Sequence, residues 1–399
     1  MQSINLFSPE FKEHAYPMYA TLRETDPVYP LSMPDGQTAW LILRYDDSLA
    51  VLRDVRFGKD PTRVFDVDNP RPLTYEGFEL ISKMMLNADP PDHTRLRALV
   101  QGVFTPRMID GLQGRIEEIT EELLDEATGK EEMDLISEFA FPLPIIVISE
   151  MLGIPVEDRD RFRRWSHALI SAANDPEHLR RIIPQFTEFT SYLRDLFEER
   201  RANPKEDLIS GLVHAEAEGD KLSEQELYSM VILLIIAGHE TTVNLIGNGM
   251  YALLEHPDQF EKLKANPQLM ESAIEEMLRY YSPIEVTTNR WALEDVSLRG
   301  KTIAKGDMVL IIIASANRDP AQFENPDQFD ITRKENRHLA FGLGIHFCLG
   351  APLARLEGRI AFSALLRRLP NSKPAVPLDT LSWQPGLLLR GLTTLPVRL

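Results

Sequence analysis

The only cysteine of the 399-residue chain, Cys348, stands behind Gly342, Gly344 and His346 and directly before a helical pattern running from Pro352 to Arg368. A lone cysteine is most often a small buried hydrophobe, but three features set this one apart. Gly342 and Gly344 permit positive φ or close backbone approach, so the loop can wrap tightly around the sulfur. The helix that follows the cysteine offers free N–H groups and the positive end of its dipole, which favour a thiolate. His346 can bind an anion beside it. Such a thiolate could act as a nucleophile or as a metal ligand. Structural zinc wants about four Cys or His ligands at close spacing, which one His-x-Cys cannot supply. An axial thiolate on a haem iron needs only one cysteine.

A second group lies in a long helical pattern. Ser223 and Glu226 form a capping box, and the pattern continues to about Glu255, roughly 48 Å at 1.5 Å per residue. Its middle, Val231 to Ala237, is apolar all round, which predicts a path through the core. Gly238-His239-Glu240-Thr241-Thr242 follows directly. Polar groups there cost a few kcal/mol each (order of magnitude) unless partnered. A zinc-protease helix would need a second histidine at position 243, where Val243 stands, so that reading fails. Thr241 bonding back to the Ala237 carbonyl would bend the helix locally. Two further pairs carry little alone: Glu276 and Arg279, usually a surface i,i+3 pair, and His93 and Arg97, four apart on one helical face.

The elements that must position these groups are those of an ordinary globular chain, 43% apolar and 26% charged. One cysteine excludes an intrachain disulfide and fits a reducing compartment. The net charge of −18 disfavours nucleic acid or an anionic membrane as partner. The N-terminus lacks the basic and apolar regions of a signal peptide, and the run Met230 to Gly238 is about half the length of a membrane span. Helices are expected over Ala15–Thr25, Tyr45–Arg53, Phe139–Leu152, Glu157–Ala172, Leu179–Ala202 (interrupted by Pro184) and Pro267–Tyr281. A hairpin is expected from Val28–Leu31 and Ala39–Arg44. Strand character returns between Glu285 and Ser315, above all in Met308–Ile313, and a final strand-like pair is expected around Leu387–Leu389 and Gly391. Arg56 to Thr74 reads as a long irregular loop.

The pattern Phe341-Gly342-x-Gly344-x-His346-x-Cys348-x-Gly350 resembles the haem-binding loop of the cytochrome P450 family of haem-thiolate monooxygenases. Ala237-Gly238-x-Glu240-Thr241 resembles that family's oxygen-activation segment. Glu276-x-x-Arg279 resembles the pair that, with a later arginine, here Arg333, braces the cysteine loop. With His93, Arg97 and Arg290 these signals stand in the family's order, and the chain is similar to its soluble bacterial branch over essentially its whole length. The resemblance implies a mainly α fold with small β-sheets, with haem between the long central helix and the cysteine-loop helix. It implies a single domain over 1–399: a β-containing N-terminal part to about 60, a helical bulk over about 61–285, and a β-region with the cysteine loop over about 286–399.

The same resemblance implies roles. Cys348 is the axial ligand of haem b. His93, Arg97, Arg290 and His346 suit its propionates through charge-assisted bonds. Ala237 and Gly238 meet the cofactor from the long helix, and Phe341, Gly342 and Gly350 meet it around the thiolate. Thr241 and Glu240 deliver protons for oxygen activation. Leu233, Leu234, Val286, Thr287, Leu387 and Leu388, with the 56–85 loop, line a pocket for an apolar small molecule: fatty acyl, terpenoid, steroid or polyketide. One atom of O2 enters that molecule as hydroxyl. The resemblance says least about the 56–85 loop and the 168–182 region.

No cluster-binding cysteine set and no Gly-x-Gly-x-x-Gly after a strand is present, so the resemblance implies electrons from a separate ferredoxin or flavodoxin with its reductase, and ultimately from NAD(P)H. Docking an acidic carrier would need a local basic patch, for which Arg355, Arg359, Arg367 and Arg368 are candidates. A cytoplasmic monomer is implied. A peroxide-driven haem-thiolate oxygenase or a haem sensor would share the thiolate, but neither needs the pair Glu240–Thr241. A cysteine hydrolase would leave the Arg/His set unexplained.

Overall fold

The computed structural model describes residues 9–33, 36–65, 83–172, 181–217 and 219–399. Of the 56–85 loop and the 168–182 region, residues 66–82 and 173–180 lie outside the described residues. The chain forms two compact units. One comprises Met1–Pro70, Thr120–Ala140 and Thr241–Leu399, the other Arg71–Ile119 and Phe141–Glu240.

The first unit is built on a five-stranded sheet in the order Val28–Ser32, Thr38–Ile42, Met308–Ile311, Arg290–Ala292, Phe57–Gly58. The first two strands form the antiparallel hairpin expected from the sequence, with Val28 opposite Ile42. Met308–Ile311 lies parallel to the second strand, with Val309 beside Trp40, and so needs a long crossover connection. Side chains alternate between the two faces. Ala39, Leu41, Met308 and Leu310 pack with Tyr19 and Leu22 of the helix Ala15–Thr25. Ile42, Val309 and Ile311 pack with Val51 and Leu52 of the helix Tyr45–Arg53. Both helices have the bounds their apolar spacing predicts. Each fully buried aliphatic side chain contributes about 1.5–3 kcal/mol, so a central sheet covered on both faces is a rigid mount for Arg290 at its edge-proximal strand.

The final strand, Pro396–Arg398, pairs with Lys373–Pro374 and with Glu132–Asp134 in a separate sheet. The strand-like pair expected around Leu387–Leu389 is not one. That stretch makes only isolated bridges, Ile284 to Leu389 and Trp383 to Leu392, because Pro385 and Gly386 break any regular ladder before it. The helices Met270–Tyr280 and Ala351–Arg368 complete this unit with the C-terminal half of the helix Glu224–Glu255. Gly249 permits that packing: a Cβ there would meet Phe362 at 2.6 Å and the Met277 sulfur at 2.8 Å.

The second unit is helical. Asp92–Val103, Pro142–Leu152, Arg159–Ala172, Ile183–Ala202 and Leu208–Val213 lie in it with the beginning of the long helix. Pro184 marks the expected interruption of the Leu179–Ala202 pattern: Arg181 is helical, Ile182 is a turn, and a new helix begins at Ile183. It sits in the first turn of Ile183–Ala202, where a missing N–H costs nothing. Arg200, buried along its length, donates to the Asp207 carboxylate at 2.5 Å and to the Gly153 carbonyl at 2.7 Å. Asp207 in turn caps Leu208–Val213 by accepting from the Ser210 N–H at 2.6 Å. The long helix begins with the expected capping box: the Ser223 N–H donates to the Glu226 carboxylate at 2.8 Å, and the Glu226 N–H donates to the Ser223 hydroxyl at 3.3 Å. This helix is long and apolar enough to cross a membrane, yet 67% of its most apolar window is buried by the protein itself.

Candidate functional site

The cysteine loop is closed by its own backbone. The Cys348 N–H donates to the Phe341 carbonyl at 2.9 Å, the Phe347 N–H to Gly344 at 3.0 Å and the Gly342 N–H to Leu339 at 2.8 Å. Upstream, the Asn317 side chain accepts the Leu339 N–H at 2.7 Å. Gly342 and Gly344 have φ of 67° and 78°, the left-handed region that favours glycine. A Cβ on Gly344 would also lie 3.1 Å from the Leu52 carbonyl oxygen. Gly350 precedes the helix Ala351–Arg368, and Pro352 sits in its first turn. The half-buried Cys348 therefore lies at a helix N-terminus, whose free N–H groups stabilise negative charge on sulfur.

The three brace residues come together. Glu276 and Arg279 are both 0% exposed and paired through two bonds of 2.8 Å. Arg333 approaches the same carboxylate at 3.1 Å, Asn336 at 3.1 Å and the Asp330 N–H at 2.9 Å. Arg279 also donates to the carbonyls of Asn317, Pro326 and Gln328. One carboxylate thus holds both its own helix and the segment that leads into the cysteine loop.

Arg290 is buried in its strand and donates to the Phe57 carbonyl at 3.2 Å. Beside it is a cation the sequence reading missed. Lys59, only 3% exposed, donates to the Asn289 carbonyl at 3.1 Å and to the Thr288 carbonyl at 3.3 Å. Phe57–Gly58 pairs with Arg290–Ala292 across more than two hundred residues, so no local pattern signals that lysine. Val286 is joined to Leu388 by its N–H donating to the Leu388 carbonyl at 3.3 Å, while the Thr287 N–H donates to the Ile311 carbonyl at 2.9 Å. Leu387 is half-buried against the cluster that Tyr19 of the helix Ala15–Thr25 forms with the sheet.

The long helix departs from its expected course in one respect. Val231, Ile232, Leu233 and Ile235 are buried, but Leu234, Gly238 and Thr241 are half-buried and Ala237 is exposed. Positions i, i+3, i+4 and i+7 share one helical face, so these four form a stripe less buried than Val231, Ile232, Leu233 and Ile235 beside it. Within the second unit, His239 is fully buried and bonds the Phe141 carbonyl through Nε2 at 3.0 Å. Burial pushes its pKa down to about 4, so it is a neutral packing residue. Burial pushes the adjacent Glu240 carboxyl up. His93 is buried and Arg97 half-buried on one face of Asp92–Val103. Burial, and then the Arg97 charge, hold the His93 imidazole below its ordinary value.

Three of the four arginines of the expected basic patch have acidic partners. Arg355 makes a two-bond pair with Glu275 at 2.7 and 2.8 Å. Arg367 pairs with Glu121, and Arg368 with Glu121 and Asp125. Acidic side chains distant in sequence neutralise three of the four arginines.

The donor set fits a haem. In the first unit a lone cysteine at a helix N-terminus suits an axial thiolate and the buried Arg290 guanidinium suits a carboxylate, and among the described residues no group of three or more His, Cys, Asp or Glu side chains is placed to hold a metal ion.

The family model described as Cytochrome P450 matches residues 65–392. A "Cytochrome P450" of Bacillus subtilis (strain 168) is 51% identical over 98% of this chain and 96% of its own length. Among solved structures, the Bacillus subtilis 168 bacillaene polyketide synthase cytochrome P450 PksS superposes with a TM-score of 0.93 at 47% identity, covering 99% of each chain. P450BioI, solved with acyl carrier protein bearing hexadec-9Z-enoic acid, superposes with a TM-score of 0.88 at 41% identity, covering 98% of this chain and all of the other.

Proposed function

Because the chain belongs to the cytochrome P450 family, we propose that it hydroxylates an apolar acyl or polyketide-like molecule, free or carrier-bound, as one catalytic domain. It is an oxidoreductase, a monooxygenase that works with haem iron and O2. The finer reading is supported by two structural neighbours, one a polyketide synthase P450 and the other solved with a carrier-bound fatty acyl chain. The observation that carries it is the stripe Leu234, Ala237, Gly238 and Thr241, mostly small or apolar side chains that are exposed at Ala237 and half-buried at the other three beside buried core positions of the same helix.

In this reading Cys348 holds the iron, and Phe341, Gly342 and Gly350 shape the loop around the sulfur. Haem with a thiolate ligand supplies O2 activation, the thiolate pushing electron density so that O–O cleavage is favoured. His93, Arg97, Arg290 and His346 would bind its carboxylates, and Ala237 and Gly238 would meet it from the long helix. Glu240 keeps a proton on its carboxyl to higher pH because burial disfavours its charge. It passes that proton through water toward the Thr241 hydroxyl, which orients it. Glu276, Arg279 and Arg333 act at a distance by fixing the loop. Leu233 and Leu234 are proposed substrate contacts, as are Val286, Thr287, Leu387 and Leu388.

Electrons come, we propose, from NAD(P)H through a ferredoxin or flavodoxin and its reductase, and the protein works as a cytoplasmic monomer. The test is turnover of the haem-loaded chain under O2 with such carriers and a library of fatty acids, acyl-carrier conjugates and macrolactones. The reading requires a product heavier by one oxygen atom whose formation depends on the carriers. Equal product from hydrogen peroxide without carriers would replace it with a peroxide-driven enzyme.

A further inference from the structure

The helix Met270–Tyr280 reaches toward the cysteine loop twice. Besides Glu276, its neighbour Glu275 holds Arg355 by two bonds of 2.7 and 2.8 Å and accepts or shares a proton with His338 Nε2 at 3.1 Å. The Arg355 guanidinium lies 4.4 Å from the centroid of the Phe341 ring, within cation–π range. His338 is tilted against the same ring at 6.0 Å. Phe341 is the residue whose carbonyl accepts the Cys348 N–H. Glu275 is held down to about 2: its bonds from Arg355 and His338 outweigh the burial that acts against its charge. The Arg355 cation is favoured first by Glu275 and also by negative charge on Cys348.

We propose that Glu275 and Arg355 are positioning residues for Cys348, seating a guanidinium on Phe341 so that the loop holds its sulfur in one place. The planar fork matters. Two parallel bonds to Glu275 fix the guanidinium plane, and a fixed plane stacks where a lysine ammonium would swing. The pair therefore acts on the thiolate through Phe341, apart from the buried brace of Glu276, Arg279 and Arg333.

This inference rests on the reading that Cys348 ligates haem, so the first control is the reduced carbon-monoxide spectrum of the wild-type chain. A globin-like band there would defeat that reading itself. Given the red-shifted thiolate band in wild type, Arg355→Met and Glu275→Gln are made in the haem-loaded full chain. Each should convert to the globin-like band about tenfold faster at fixed pH, the scale of a lost cation–π contact together with its ion pair. The haem midpoint potential should become more negative in Arg355→Met, which loses the positive charge. Arg355→Lys should recover the potential but not the slow conversion. The double variant should convert no faster than the worse single, since both act through one contact. Wild-type conversion and potential in both singles, even with a lowered Tm, would overturn the proposal and leave the pair a mere helix staple. Should Arg355→Met hold no haem, Glu275→Gln, which keeps the guanidinium, decides by its conversion rate alone.

Discussion

Glu276→Gln measures how far burial changes the worth of a pair that reads from sequence as a surface contact. An exposed i,i+3 pair contributes about 0.3–0.5 kcal/mol. Here both partners are 0% exposed, and the carboxylate also accepts from Arg333, Asn336 and the Asp330 N–H. The glutamine keeps shape and part of the acceptor capacity but leaves the Arg279 cation buried without its counter-charge, which costs about 3–5 kcal/mol. Over 399 residues, an unfolding entropy of about 2.1 cal/mol/K per residue gives about 1.2 °C per kcal/mol, which makes that a fall of about 4–6 °C in Tm. Denaturant unfolding of the wild type, Glu276→Gln, Arg279→Met and the double variant supplies the cycle. The double should cost less than the sum by about 2 kcal/mol or more, since removing both charges leaves neither stranded. A single-variant loss under about 1 kcal/mol, or strict additivity, would refute the argument.

Gly344→Ala should destabilise the cysteine loop by about 1–3 kcal/mol, because a Cβ must take φ of 78° and meet the Leu52 carbonyl; haem retention during size-exclusion chromatography reads it. Glu357 is a buried acid whose carboxyl burial pushes up to about 8. An acid raised in the folded state keeps its proton while the unfolded chain loses its own above about 4.5, so its stability contribution falls as pH rises from about 4.5 to 8. Glu357→Gln should therefore stabilise at pH 7, by up to about 3 kcal/mol, and flatten that slope; urea midpoints at pH 5 and pH 8 check it. Thr241→Ala should keep consuming electrons while releasing peroxide in place of product, seen by assaying NAD(P)H, peroxide and product together; full coupling would remove Thr241 from proton delivery.

Much of this was legible in local spacing. The helices Ala15–Thr25 and Tyr45–Arg53 follow from apolar residues repeating at helical intervals. The hairpin follows from two alternating strands around a turn. The loop before Cys348 follows from residue types that only a few backbone shapes accommodate, as the positive φ of Gly342 and Gly344 shows. What escaped was non-local. Arg355 reads as a free surface charge until Glu275, eighty positions away, is seen to hold it. Arg367 and Arg368 are answered by Glu121 in the same way. Lys59 is an unremarked lysine until the strand it follows pairs with Arg290–Ala292. The long helix was apolar all round, but apolarity does not say what covers each face. Ala237 stands exposed on a face whose other members, Leu234, Gly238 and Thr241, are half-buried.

The central claim is that Cys348, as a thiolate, ligates the haem iron. The direct measurement is the reduced carbon-monoxide difference spectrum of the haem-loaded wild type beside Cys348→Ala and Cys348→His. The account predicts the red-shifted thiolate band in wild type, its loss in the alanine variant, and a globin-like band in the histidine variant. An unchanged band in Cys348→Ala would contradict it.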